Sequence, residues 1–292
     1  MPDLKKNQGM FYRQRPVSQS FYGWRRLLVP YLVFCIGTFV LFHLYTLPRV
    51  GLFECLKNFL LPIAHLGAPK NNPALWFLLS LLLVKAIFNI LVSVRIPPMA
   101  ISLFSALLAI VIYVVNPYLI DNSIETPYYF NNIITGLCFY ALGAWLQKLQ
   151  FNKMLLYVVI AIHVAILVFC FSFVDMFKND LIQGSYTLWM ISSLCGCVII
   201  NNILRRLCKT NQRPVVYAPF RLLEYVGRNS MVFYAIHLWI IIALNGYVLP
   251  WCGIEASFVR FLITAAACIV ILPTANTIFH TKSLCWMIGE KH

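Results

Sequence analysis

Ionisable side chains are scarce within the long apolar runs of this chain. The few that occur there, Lys85, His163 and His237, with His43 nearer the end of a run, are the first candidates for chemistry. A titratable group in lipid is costly and is kept, as a rule, for a function. His237 has the most telling surroundings. It lies in LEYVGRNSMVFYAIHLWIIIALNGYVL, Leu223–Leu249, where a polar start (Gly227, Arg228, Asn229, Ser230) leads into a stretch of membrane-spanning length. Gly227 permits a turn, and Asn229 or Ser230 is placed to cap the first backbone N–H groups of a helix. At about 1.5 Å of rise per residue, His237 falls roughly 10 Å inside the run. At about 100° per residue, Ser230, Tyr234, His237 and Asn245 share one arc of the helix surface. Lipid cannot satisfy such a stripe, so it should face protein or a water-filled cavity. Imidazole as a group titrates near neutrality and burial favours its neutral form, which suits a base that takes a proton from a hydroxyl. Tyr234, Ser230 or Asn245 would then orient the reactants or donate to a developing oxyanion.

Plainer readings stand beside these. His237 could be a histidine held by a hydroxyl or carbonyl of a neighbouring helix. His163, in mid-run among apolar neighbours, reads as a packing or hydrogen-bonding residue. Lys85 snorkels only with difficulty from its depth, which makes a polar cavity or a donor phosphate its expected partner. No Asp or Glu sits inside an expected span. That excludes an intramembrane carboxylate proton relay and a carboxylate-bound cation, and it weakens a transporter reading. Any carboxylate that orients His237 must come from a loop or a helix end, for example Glu224. The ten cysteines are scattered without a CxxC pair, Cys195 and Cys197 forming a C-x-C. They read as small packing residues, with no metal site expected.

Helices in a bilayer must position these side chains. The chain is 61% hydrophobic and 11% charged, with a mean hydropathy of +0.79, and its apolar residues come in uninterrupted blocks. That balance excludes an ordinary soluble protein and predicts an all-α fold, a polytopic membrane helix bundle. Eight transmembrane helices are expected, at about 26–47, 75–94, 98–118, 131–148, 154–174, 185–204, 229–249 and 258–280. Residues 1 to 25 are polar and basic and contain no signal peptide. The net charge of +14 does not imply a nucleic-acid partner, because the basic residues form short clusters between apolar runs. Most of the 23 Lys and Arg residues fall in alternate connections and most of the nine acids in the others, which predicts N-in/C-in topology.

Two connections carry further expectations. The segment 48–74 is the longest outer one, and Pro62, Pro69 and Pro73 should break any long helix in it. It reads as a surface loop or as a re-entrant element over a pocket. The inner segment 205–228 is the most basic, with Arg205, Arg206, Lys209, Arg213, Arg221 and Arg228. Topology and anionic lipid account for it, as does docking of a phosphate-rich donor. Trp24, Trp76, Trp145, Trp189 and Trp251 lie near span ends, as interfacial anchors do.

The Gly-x-Asn-Ser turn, the aromatic apolar run and the closing Tyr-x-x-His of Gly227–His237 resemble the late helix of the acyltransferase 3 family. WRRLLVPYL at Trp24–Leu32, ALWFLLSLL at Ala74–Leu82 and GLCFYALGAWL at Gly136–Leu146 are similar to earlier segments of that family, in the same order. The resemblance implies a single integral membrane domain over residues 1–292. It implies transfer of an acyl group, acetyl in the simplest case, from acetyl-CoA or another acyl-CoA to a hydroxyl of an envelope glycan or glycolipid. His237, Tyr234 and Ser230 would be the catalytic residues, and Arg25, Arg26, Arg228 and Lys85 would bind the donor. The partners would be the acyl-CoA, the glycan acceptor and the bilayer, in the cell inner membrane, with no bound cofactor. The family also carries an early helix with a basic residue, ten residues and then a histidine. No Lys or Arg precedes a histidine at that distance here, and Arg25–Arg26 open what matches the family's second helix. The family's first helix is therefore expected to be missing. That leaves a non-catalytic family remnant or a glycan-export partner as the alternative.

Overall fold

The computed structural model describes residues 17–42, 47–121, 128–147, 152–175, 180–210 and 214–289. The polar opening of the chain and His43 lie outside the described residues. The elements, in order, are α1 (Val17–Phe42), α2 (Leu47–Leu66), α3 (Trp76–Ser93), α4 (Pro98–Asp121), α5 (Tyr128–Leu146) and α6 (Lys153–Phe169). A short hairpin, β1 (Phe173–Asp175) and β2 (Asp180–Gln183), then leads to α7 (Tyr186–Thr210), α8 (Pro214–Ala243), α9 (Leu249–Trp251) and α10 (Ser257–Phe279). Each expected span falls on a helix. Among the described residues six helices are long and apolar enough to cross a membrane, at Trp24–Phe42, Pro73–Ser93, Pro98–Asn116, Tyr186–Arg206, Asn229–Trp251 and Ser257–Phe279. The outward residues of these helices are themselves apolar, for example Ile36, Phe104, Leu107, Phe261 and Ile269. In water such a surface would associate; in lipid it is solvated, and only the helix–helix seams need shape.

Two packed groups make the bundle. In the first, Tyr31, Phe34 and Cys35 of α1 meet Leu78 and Leu82 of α3, and Val232, Ala235, Ile236 and Ile240 of α8. Gly37 of α1 is the small residue in this seam. A Cβ there would stand 2.9 Å from the Trp239 ring, so its absence lets α8 close on α1. In the second group, Ala109 of α4, Ile134 and Cys138 of α5, and Tyr186 and Met190 of α7 surround Val174 of the hairpin. Val84 of α3 packs with Ile133, Leu137 and Ala141 of α5 and joins the two groups. α6 starts on an Asn152 cap, whose Oδ1 accepts from Met154 N at 2.7 Å, and it packs against α7.

The connection 48–74 differs from its expectation. Most of it is the helix α2, which contains Pro62 and bends at Gly51, where φ is 78° and ψ 163°. Pro62 forgoes one backbone N–H bond without ending the helix, and Pro69 and Pro73 lie beyond the helix end. The chain then turns into the bundle. Gly67, Ala68, Pro69, Asn72 and Leu75 are buried, and the Tyr31 hydroxyl donates to Gly67 O at 3.0 Å. Tyr31 is seven residues from one end of its span and eleven from the other, roughly 10 and 16 Å. Irregular backbone is thus held at membrane depth, where only burial in protein makes it tolerable. Residues 67–75 therefore form no surface loop: the chain re-enters the bundle there, while most of α2 is exposed.

At the other end of the chain, a helical turn at Cys285–Ile288 leads to Gly289, with φ at 75°. A Cβ on Gly289 would meet Arg25 O at 2.6 Å and Arg26 Cα at 2.7 Å, so only glycine fits both the backbone angle and the space. The start of α1 and residue 289 therefore lie side by side.

Candidate functional site

α8 carries the motif that drew attention to His237, and it is continuous from Pro214 to Ala243. No turn forms at Gly227 and no cap at Asn229 or Ser230. Asn229 Nδ2 donates to Tyr225 O at 2.7 Å, and Ser230 Oγ donates to Gly227 O at 2.9 Å. Polar side chains inside a helix return to the carbonyls of the preceding turn in this way. The cost of an internal glycine, about 1 kcal/mol, is small beside a helix of this length packed on its neighbours.

One face of α8, with Val232, Ala235, Ile236 and Ile240, is buried in the first core. Tyr234 and His237 are half-buried beside it. The Tyr234 ring lies 5.3 Å from that of Phe77 at the start of α3, and 5.6 Å from the imidazole of His237. The flank therefore faces α3, and protein covers the polar stripe there. His237 Nδ1 lies 3.2 Å from Phe233 O, the carbonyl one turn back. A carbonyl only accepts, so this bond puts the proton on Nδ1 and leaves the Nε2 lone pair as the base. Glu224, thirteen residues or roughly 20 Å down the same helix, is too far to orient this ring. The backbone of α8 does so instead.

The remaining predicted residues are placed as follows. Ser230 is two turns from His237, roughly 10 Å along the axis, and is exposed, so the structure aligns the two without bringing them together. Asn245 leaves the stripe. The helix passes into a π segment at Leu244–Val248, which breaks the 100° register, and Asn245 Nδ2 donates to Ile241 O at 3.1 Å and to Thr264 Oγ1 of α10 at 3.0 Å. Its role is to tie α8 to α10. Arg25 is half-buried and Arg26 exposed in the early turns of α1. Gly37 and Thr38 stand beside Trp239, so Arg25 lies twelve residues, roughly 18 Å, along α1 from that level. Lys85 is half-buried in α3, eight residues or roughly 12 Å beyond Phe77. Arg228 lies within α8, but its side chain is outside the described residues, as is that of Arg221. Among the described residues no group of three or more His, Cys, Asp or Glu could hold a metal ion.

Asn72 and the partner of His163 were not anticipated, though a hydrogen-bonding role for His163 was. Asn72, fully buried in the re-entrant loop, donates from Nδ2 to Ala235 O at 3.1 Å, between Tyr234 and His237 in sequence, while its Oδ1 has no hydrogen-bond partner. The Asn-Asn-Pro before Ala74–Leu82 was its only sequence signal. His163 is not packed among apolar groups alone: its Nδ1 lies 2.9 Å from Ser192 Oγ of α7, beside a cavity that Trp189 also lines. Trp189 is therefore part of a cavity wall between helices.

Comparison with known proteins completes the site. The family model described as an acyltransferase domain, that of acyltransferase 3, matches residues 9–278 of the chain. No curated protein and no solved structure matches it.

Proposed function

Because the chain belongs to the acyltransferase 3 family, a family of membrane acyltransferases, we propose that it moves an acyl group, acetyl in the simplest case, from acyl-CoA to a hydroxyl of a cell-envelope polysaccharide or glycolipid. The reaction would run in the cell inner membrane. The observation that carries the reading is the placement of His237, whose Nδ1 lies 3.2 Å from Phe233 O so that Nε2 is the ring nitrogen turned to a half-buried flank. In this scheme Nε2 takes the proton of the acceptor hydroxyl as its oxygen bonds to the thioester carbon. Tyr234, one turn away, donates to the oxyanion of the tetrahedral intermediate. Collapse breaks the carbon–sulfur bond, and the proton on Nε2 passes to the departing thiolate, giving the ester and free CoA. Ser230, further down the same stripe, positions the reactants. Arg25, Arg26, Arg228 and Lys85 hold the donor phosphates. The distance of Arg25 from the His237 level suits a long donor whose phosphates stay at the charged end while the thioester reaches inward.

The test is transfer of labelled acetyl from acetyl-CoA to envelope glycan, with membranes carrying the chain. His237→Ala should express in the membrane at the unmodified level and lose transfer by about 100-fold or more, the usual contribution of a general base. Retained transfer would move the base to another residue. The basic-x10-His pairing of the family is absent from this sequence, which favours a second, non-catalytic reading. Failure of the unmodified chain to transfer acetyl to any glycan fraction would select that reading.

A further inference from the structure

At the hairpin end of α6 and α7 lies an open-sided pocket of about 230 Å³, lined by His163, Ser172, Trp189, Ser192, Ser193 and Gly196 among others. It shares no residue with the α8 flank. Three hydroxyls and an imidazole line it, of which Ser172 Oγ already donates to Cys170 O and accepts from Ser185 N, both at 2.9 Å; among the described residues no lysine, arginine or carboxylate lines it. His163 stands six residues before the end of α6 and Ser192 six residues after the start of α7, so the pair lies roughly 9 Å in from the hairpin. Leaving these groups dry would cost about 1–3 kcal/mol for each that found no partner. The volume is below the roughly 300 Å³ at which drug-sized ligands begin, and above the roughly 30 Å³ share of a single water.

The geometry selects the ligand's chemistry. His163 Nδ1 shares a hydrogen bond with Ser192 Oγ, which leaves Nε2 as the second polar atom of the ring. Whichever nitrogen carries the proton, a ligand hydroxyl can answer Nε2, because a hydroxyl both donates and accepts. Among the described lining residues a phosphate or carboxylate would meet no cation. Trp189, packed on Phe139 and Tyr186, adds aromatic surface to the lining for the C–H side of a ring. Gly196 supplies the room: a Cβ there would lie 3.6 Å from His163 Cε1 and 3.9 Å from Nε2. Leu167 and most of α6 are exposed to the lipid side, with Leu156 the buried residue of that helix. A ligand can therefore enter from the bilayer while its tail stays there. We propose that this cavity binds the uncharged, hydroxyl-bearing sugar ring of a neutral glycolipid.

The chain in phosphatidylcholine nanodiscs, titrated with labelled octyl β-glucoside and corrected against empty discs, tests this directly. A saturable site with one ligand per chain is expected, with free glucose a weak competitor and phosphatidylglycerol none. Gly196→Leu fills the cavity and should weaken binding about tenfold or more. Gly196→Ala meets only ordinary contact distances and keeps the fold, and Ser192→Ala removes one hydrogen-bonding group. Each should weaken binding several-fold, up to about tenfold for a hydrogen bond near 1.4 kcal/mol. Thermal unfolding of each variant confirms that the bundle is intact. Absence of a saturable component, equal binding in Gly196→Ala and Ser192→Ala, or displacement by phosphatidylglycerol would each overturn the proposal. Equal displacement by free glucose would overturn the part of it that requires a lipid.

Discussion

Asn72 is the residue on which the first core and the candidate site both depend. It is wholly buried, and its side-chain amide donates to the backbone of α8 at Ala235, next to Tyr234. Asn72→Asp replaces the donor with an acceptor that faces a carbonyl and places a charge where there is no water to solvate it. The variant should lose several kcal/mol of stability, seen as a large drop in melting temperature in detergent. Asn72→Ala removes the donor together with the unpartnered Oδ1, so it should cost only about 1 kcal/mol. Equal melting temperatures for the two would mean that the site is wet. His237 and Tyr234 were legible in the sequence because a polar residue on a lipid-length run needs a reason. Asn72 was not, because its partner is a backbone carbonyl 163 positions away, which leaves no mark in the sequence. The pairing of His163 with Ser192 was hidden for the same reason: each looks unremarkable until α6 and α7 are laid side by side.

At the level of the element, the turn from α3 to α4 holds the chain in its least favourable described backbone. Arg95 has a φ of 66°, the left-handed region, and its N–H donates to Val92 O while Ile96 N donates to Leu91 O. These bonds close the end of α3 before Pro97 and Pro98 redirect the chain. Glycine is the usual occupant of such a position, and an L-residue there costs about 1–2 kcal/mol. Arg95→Gly should therefore raise the melting temperature, with a gain of up to about 1 kcal/mol after the extra freedom of the unfolded glycine is counted. A fall instead would show that the arginine side chain contributes more than its backbone costs. Helix positions were legible from apolar run length alone, since a bilayer imposes that length. Helix ends were not. α8 begins fifteen residues before its expected start and α1 nine before, because each helix continues through the residues that flank its apolar run. The helix α2 was hidden by its prolines, and the π segment after α8 by the assumption of constant twist.

For the whole molecule, Gly289 against the backbone of Arg25 and Arg26 places both ends of the described chain on one side, which requires an even number of crossings between them. Reporters fused to the two termini should report the same compartment, and the distribution of Lys and Arg predicts that it is the cytoplasm. Signals from opposite sides would contradict the Gly289 packing. Matching signals from outside would reverse the orientation and leave the bundle as described. Composition was enough to read the bundle, because charge and hydropathy report on the solvent. The division into two packed groups, joined where α3 meets α5, was not readable, because the seams use the same Leu, Ile, Val and Ala as the lipid-facing surfaces.

The re-entrant loop also has a history within each molecule's synthesis. Asn72 leaves the ribosome 163 residues before the carbonyl that will receive its amide, an interval of roughly 8 to 30 s at ordinary elongation rates. Throughout that time α1, α2 and α3 lack the wall against which the loop is buried. Until α8 arrives, the Asn72 amide lacks the carbonyl it donates to in the finished bundle. A nascent chain halted before residue 235 would keep this polar amide exposed, and membrane quality control could recognise it by that group.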